Sequence, residues 1–272
     1  MTHYDVRGAL VPALGLGTWQ LRGDAAREAV EHALSIGYRH VDTAQIYKNE
    51  AEVGAGIAAS AVPRADVFLT TKVWREHMAP GRLAPSVDES LRRLGTDYVD
   101  LLLLHWPNDA HALDAMLTAL DGVRRAGKAR LVGVSNYPPG LLRRALDVVP
   151  DLATDQVEYH PFLGQDALLG VVRQHGMVLT AYSPVAQGEV LDDEVLGETA
   201  EAHGVGPAAV ALAWLLGQDR VVAIPKAASA EHQAANLEAA EIRLTDEERA
   251  RIDALPKSRR LVEPDFAPDW DA

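Results

Sequence analysis

The chain has 272 residues, 48% of them hydrophobic, and a formal net charge of −13. That length suits one (β/α)8 barrel of about 250 residues, and the acidic excess argues against a nucleic-acid partner, whose phosphates need a basic face. The absence of cysteine excludes disulfides and thiolate zinc sites, and no apolar leader or run of the ~20 residues that span a membrane is present, so a cytoplasmic protein free of the membrane is expected.

Residues 4–12 read as a short hairpin turning at Gly8, placed to plug the floor of a barrel. The first barrel strand is expected over 13–19, where Gly15 and Gly17 permit close backbone approach. Asp24 is a suitable N-cap for a helix whose apolar positions Ala26, Ala29, Val30, Ala33 and Leu34 recur at helical spacing, with Gly37 as its stop. Further strands are expected near 38–44, 67–73, 98–106, 130–136, 154–160, 178–184 and 221–226. Helical patterns such as 110–126 and 165–175 lie between them; one helix starts near Asn49 and another ends at Leu94-Gly95. Within the fourth strand, Leu101-Leu102-Leu103-Leu104 reads as buried on both faces.

Eight strand–helix units imply a parallel sheet with right-handed crossovers, and closure into a single TIM barrel spanning 1–272. Segment 187–191, before helical runs at 193–203 and 207–216, reads as a loop over the mouth. After the last strand come helices near 229–238 and 245–254. The tail that follows carries Pro256, Pro264 and Pro268, and its Phe266 and Trp270 are placed to fold back over the mouth. An open doubly wound sheet is the alternative. It is weakened because Leu14-Gly15-Leu16-Gly17-Thr18-Trp19 lacks the third glycine of a dinucleotide fingerprint.

The carboxyl ends of barrel strands are where such folds keep their chemistry. Asp42, Tyr47, Lys72 and His105 fall there, at the second, third and fourth strands. Singly, each has an ordinary structural explanation, although a buried lysine is costly without purpose. As a set they point to proton transfer. A phenol titrates near pH 10, and a neighbouring ammonium is expected to lower that value by favouring phenolate. Asp42 would hold Lys72 charged, His105 would hydrogen-bond a carbonyl oxygen, and Tyr47 would protonate that oxygen as a nucleophile reaches its carbon. Two other chemistries remain open. Lys72 could be the Schiff-base nucleophile of an aldolase. A metal hydrolase is disfavoured, because the ten histidines include no His-Glu-x-x-His pattern; no metal is expected.

Four blocks carry a resemblance to a known family. They are Gly37-Tyr38-Arg39-His40-Val41-Asp42-Thr43-Ala44-Gln45-Ile46-Tyr47-Lys48-Asn49-Glu50, continuing to Val53-Gly54; Thr71-Lys72-Val73-Trp74; Val99-Asp100-Leu101 through Leu104-His105-Trp106-Pro107; and Gly133-Val134-Ser135-Asn136-Tyr137. In this order and spacing the chain resembles the aldo-keto reductases over nearly its whole length. Arg260-Leu261-Val262-Glu263-Pro264 and Ala267-Pro268-Asp269-Trp270 look like the tail of the family's bacterial diketogluconate-reductase branch.

The resemblance implies reduction of aldehydes and ketones, small dicarbonyls and keto sugars among them, by direct hydride transfer from NADPH, or from NADH. Tyr47 would be the proton donor, tuned by Lys72 and Asp42, and His105 would orient the substrate. By match of position Ser135, Asn136 and Gln156 would hold the nicotinamide carboxamide, and Tyr182, beside Ser183, would stack on its ring. Trp19, Trp74 and Trp106 would wall a neutral, apolar pocket suited to small carbonyls. Lys226, with Ser229, His232 and Asn236, would take the adenosine end. Four positions depart from the family pattern: Ala227 for a hydroxyl residue, His232 for an arginine, Ala235 for a glutamate, and Asp155 for the asparagine common before Gln156. The loss of an always-charged guanidinium weakens a strict NADPH preference. A monomer is implied, and the non-enzymatic alternative is a nicotinamide-binding regulatory subunit with little turnover.

Overall fold

A computed structural model describes residues 2–270. Its barrel strands are β3 (Leu16–Gly17), β4 (His40–Asp42), β5 (Phe68–Val73), β6 (Val99–Leu104), β7 (Ala129–Ser135), β8 (Thr154–Glu158), β9 (Val178–Tyr182) and β10 (Val221–Ala223). They form one parallel sheet in sequence order. Leu14 bridges Ala223, and Gly17 bridges Lys226. Gly15 N–H donates to Ala223 O at 2.9 Å and Gly17 N–H to Pro225 O at 3.0 Å, so β3 meets β10 and the sheet closes as a (β/α)8 TIM barrel.

The closure explains why the first strand is glycine-rich. A Cβ on Gly17 would stand 2.6 Å from Ile224 O, and one on Gly15 would meet the His40 ring at 2.8 Å. The regular ladder of β3 is shorter than the expected 13–19, because its residues alternate between β4 and β10 as pairing partners.

The leucine run of β6 shows how the barrel is filled. Leu101 and Leu103 pack inside with Phe68, Leu131, Val178 and Val222, whereas Leu102 and Leu104 pack outward into the helix layer. Both faces are apolar, so the sequence reads as a continuous run rather than an alternation. The hairpin β1 (His3–Val6) and β2 (Ala9–Pro12) adds Val6, Ala9 and Val11 to the interior cluster, and thus plugs the floor. Its turn at Arg7 and Gly8 has φ of 52° and 79°, a two-residue turn of the kind that suits strand twist.

The outer layer comprises α1 (Gly23–Ser35), α2 (Glu50–Ala59), α3 (Pro80–Leu94), α4 (Leu113–Arg125), α5 (Pro139–Val148), α6 (Asp166–Gln174), α7 (Glu194–His203), α8 (Pro207–Leu216), α9 (Ala230–Ala239) and α10 (Asp246–Asp253). The expected apolar stripe of α1 is buried, but Asp24 is not its cap. The helix is entered through Arg22 and Gly23, and Asp24 lies in the first turn, where its charge complements the helix dipole. The helix α5 had no apolar pattern singled out for it; Pro138-Pro139 starts it, with proline at the first helical position. Segment 186–192 folds as short helical turns broken at Gln187 and Gly188.

Helices α2 and α3 touch backbone to backbone at Gly54, where a Cβ would stand 2.3 Å from Leu94 O. Overpacking costs about 1–3 kcal/mol, against about 1 kcal/mol gained in helix propensity. Because the obstacle is main chain and cannot rotate aside, the cost wins. Gly54→Ala is expected to destabilise the protein by about 1–2 kcal/mol, measured by urea denaturation.

Candidate active site

Strand register brings the expected residues to one place. Asp42 ends β4, and Lys72 in β5 pairs with Leu103, which points inward. His105 follows β6 directly, its N–H bonded to Val73 O at 3.1 Å. Tyr47 sits in the 3-10 turn Gln45–Tyr47 that follows β4. Lys72 Nζ donates to Asp42 Oδ1, to Thr43 O at 3.0 Å and to Tyr47 OH at 3.4 Å. The Tyr47 and His105 rings meet edge to face at 5.7 Å. All four side chains are thus in one cluster, with Lys72 wholly buried and Tyr47 partly exposed.

Burial works against the Lys72 charge, but Asp42 and Tyr47 outweigh it, and its pKa is raised. Burial together with the Lys72 charge holds His105 well below the usual histidine range, so its imidazole is neutral, with one N–H to donate. For Tyr47 the direction departs from the sequence-based expectation. Burial pushes the phenol up, Lys72 pulls it down, and the result is a raised value. The expectation weighed the ammonium and not the loss of water. The phenol therefore rests in its acid form at neutral pH, the state a proton donor needs.

Two buried amides missed in the sequence hold the loop that carries Tyr47. Asn49 donates to Thr18 O and Leu21 O at 2.9 and 3.1 Å and accepts from Thr43 Oγ1 at 2.7 Å. Gln45 accepts from Trp74 N–H at 2.9 Å and donates to Ser86 and Ser90 hydroxyls. Both lie within the first motif block, but the block alone assigns them no role, because most of their partners are main-chain and hydroxyl groups far away in the chain.

Beside the cluster, the ends of β7, β8 and β9 form a polar set. Asn136, left-handed at φ 65°, donates to His105 O at 3.0 Å and accepts from Tyr182 OH at 2.8 Å. Ser135 Oγ donates to Gln156 O at 2.7 Å, and Gln156 Nε2 to Asp42 Oδ2 at 2.8 Å. Ser183 is also left-handed, at φ 47°. Neutral amides and hydroxyls beside an aromatic ring complement a carboxamide on a flat ring, so these residues fit a nicotinamide. Asp155 faces away from them and is fully buried. Burial pushes its carboxyl well above the usual range, against a hydrogen bond from Tyr137 N–H.

At the far end, Lys226 follows β10, and Ser229 caps α9 by accepting from His232 N–H at 3.2 Å. Lys226, Ser229 and His232 are exposed. A cation beside a helix N-terminus suits a phosphate. Asn236 is buried, and the nearby buried Tyr38 phenol donates to Gln233 O at 3.1 Å.

Trp74 meets His105 edge to face at 5.3 Å. The tail does reach the mouth: Phe266 lies 5.8 Å from Trp74 and 5.6 Å from Trp106, and Trp270 lies 6.1 Å from Trp106, ring centre to ring centre. Trp19, grouped with these tryptophans from the sequence, is 45% exposed, and among the described residues no ring contact joins it to them. His40 bonds Thr70, and His160 bonds Glu158. Among the described residues no three His, Asp or Glu side chains converge as a metal site.

The aldo/keto reductase family model matches residues 13–257. Methylglyoxal reductase DkgB of Escherichia coli O157:H7 is 42% identical over 96% of this chain and 99% of its own length. Glyoxal reductase of Bacillus subtilis is 40% identical over 93% of this chain and 92% of its own length. A crystal structure named for 2,5-diketo-D-gluconic acid reductase B superimposes with a TM-score of 0.97 at 45% identity, covering 100% of this chain and 98% of that one.

Proposed function

The chain belongs to the aldo/keto reductase family of oxidoreductases, and from that premise we propose that it reduces small aldehydes and ketones to alcohols with NADPH. The observation that carries this reading is the hydrogen-bonded line from Asp42 through Lys72 to Tyr47 OH, with neutral His105 alongside. When bound, a reduced nicotinamide supplies the hydride. Ser135, Asn136 and Gln156 would hold its carboxamide, and Tyr182 would stack on its ring.

His105 would donate one ring N–H to the substrate carbonyl oxygen. Tyr47 would deliver its proton to the same oxygen. As that proton leaves, negative charge grows on the phenol oxygen, and the Lys72 ammonium 3.4 Å away is already placed to stabilise it. Trp74, Trp106 and Phe266 leave the pocket apolar, which favours small neutral dicarbonyls and keto sugars. The relatives named for methylglyoxal and glyoxal support that choice. An aldolase reading gains no support, since Lys72 Nζ is engaged by Asp42, Thr43 and Tyr47.

The test is loss of near-ultraviolet absorbance of NADPH, and of NADH in parallel, with methylglyoxal as the carbonyl. Turnover supports the reading. Cofactor binding without turnover of any reactive carbonyl would favour a regulatory subunit. No described helix is long and apolar enough to cross a membrane, and the proposal includes a cytoplasmic monomer, checked by light scattering.

His232 stands where the family pattern has an arginine, whose guanidinium is always charged. His232→Arg is expected to lower KM for NADPH about twofold to fivefold, the range of an exposed ion pair. KM for NADH, which lacks that phosphate, should stay put. Equal changes for both cofactors in steady-state kinetics would move the phosphate site elsewhere.

A further inference from the structure

Glu158 is a fully buried carboxylate that the proposed reaction does not use. A buried charge is retained only if it is paired or well hydrogen-bonded. Its partners are unusual in where they come from. His160 Nε2 lies 2.9 Å from Oε1. The other two are main-chain donors of the C-terminal tail: Leu261 N–H reaches Oε1 at 2.8 Å, and Val262 N–H reaches Oε2 at 2.9 Å. Two consecutive N–H groups fit the two oxygens of one carboxylate, and such charge-assisted bonds are about twice as strong as neutral ones.

The geometry points to Glu158 as a positioning residue: through the main chain of Leu261 and Val262 it sets the tail so that Phe266 closes the substrate pocket against Trp74 and Trp106. The assignment of that pocket rests on the reading under Proposed function.

Among the described residues the tail's other polar ties to the barrel include Lys257 Nζ, which donates to Pro161 O at 2.6 Å. Nearer its root, Ser258 bridges Leu163, and Arg259 N–H donates to Phe162 O at 2.8 Å. The ion pair of Arg259 with Glu189 joins two exposed side chains, and such pairs contribute little. Beyond Val262 the rings of Phe266 and Trp270 reach the mouth, and the Arg75 guanidinium lies 4.4 Å over the Phe266 ring. Glu158 therefore holds the tail four residues before Phe266. It does so from the end of β8, the strand that also carries Gln156. One strand end thus serves both the polar set beside Asp42 and the far wall of the pocket.

The test uses the full-length protein. Glu158→Gln keeps the side-chain shape but leaves one acceptor oxygen for two tail donors. KM for an aromatic dicarbonyl such as phenylglyoxal is expected to rise about tenfold, the cost of one charged hydrogen bond, with kcat changing far less. Trypsin should cut after Arg259 and Arg260 faster than in the wild type. The effect on KM should largely vanish when Phe266→Ala is already present, because both substitutions remove the same wall. If Glu158→Gln does not fold, Val262→Pro removes one donor from the tail side without disturbing the barrel, and the same results are expected.

An unchanged KM, an unchanged rate of tryptic cleavage, or full additivity with Phe266→Ala would each overturn the assignment. A wild type inert toward every carbonyl would defeat the reductase reading instead. The cleavage rates would still decide whether Glu158 holds the tail.

Discussion

Tyr47→Phe is expected to lower kcat for carbonyl reduction by about 10²- to 10⁴-fold, the usual worth of a positioned general acid. The substitution removes one oxygen and little else. Within the chain that oxygen's recorded partner is Lys72 Nζ, at 3.4 Å, a long bond whose loss leaves Lys72 still bound to Asp42 and to Thr43 O. The ring's contact with His105 survives in phenylalanine. Folding and cofactor affinity should therefore hardly move, and a loss confined to kcat would isolate the proton-transfer step. The raised pKa of Tyr47 makes a further demand on the wild type. The acid form persists through neutral pH and is lost only as pH climbs past the raised value, so the reductive rate should stay flat through neutrality and fall on the alkaline side. Stopped-flow rates of the Phe variant that match the wild type would remove Tyr47 from the mechanism.

The parts legible in the sequence are those that depend on short-range pattern. Leu101 to Leu104 marked a strand buried on both faces because each neighbour alternates between two apolar layers. Asp42, Lys72 and His105 could be placed together because they stand at the ends of consecutive strands, where a barrel must converge. What the sequence did not disclose depends on long-range partners. Asn49 and Gln45 fix the Tyr47 loop through groups on other loops and on α3. Glu158 looks like any strand-end carboxylate until Leu261 and Val262, more than a hundred residues later, fold onto it. The direction of the Tyr47 shift was misjudged for the same reason. Charges near a residue in a motif can be read from the motif, but its burial belongs to the whole fold. Asp24 failed as a cap on a finer scale, because the chain turns into α1 two residues earlier, with Arg22 at the cap and Gly23 at φ 53°.

Lys72→Met should cost both stability and rate, and a second substitution should separate the two. Lys72 and Asp42 are almost wholly buried as a pair. Removing one member of such a pair costs about 3–5 kcal/mol, because the other charge is left without its counterion. Lys72→Met leaves the Asp42 carboxylate with Gln156 Nε2, at 2.8 Å, as its remaining side-chain donor. Adding Asp42→Asn removes that charge while keeping an oxygen for Gln156, so the double variant should recover much of the lost stability in urea denaturation. The rate should not recover. Proton transfer from Tyr47 leaves negative charge on an oxygen that faces the vacated ammonium position, and loss of one such stabilising group costs about 10²- to 10³-fold in kcat. The pH profile provides the independent check. Without the downward pull of Lys72 the Tyr47 phenol rises further, so the alkaline limb should move to still higher pH in both variants. A double variant that regained activity along with stability would mean that Lys72 matters only for holding the fold, and Tyr47 would need another source of charge stabilisation.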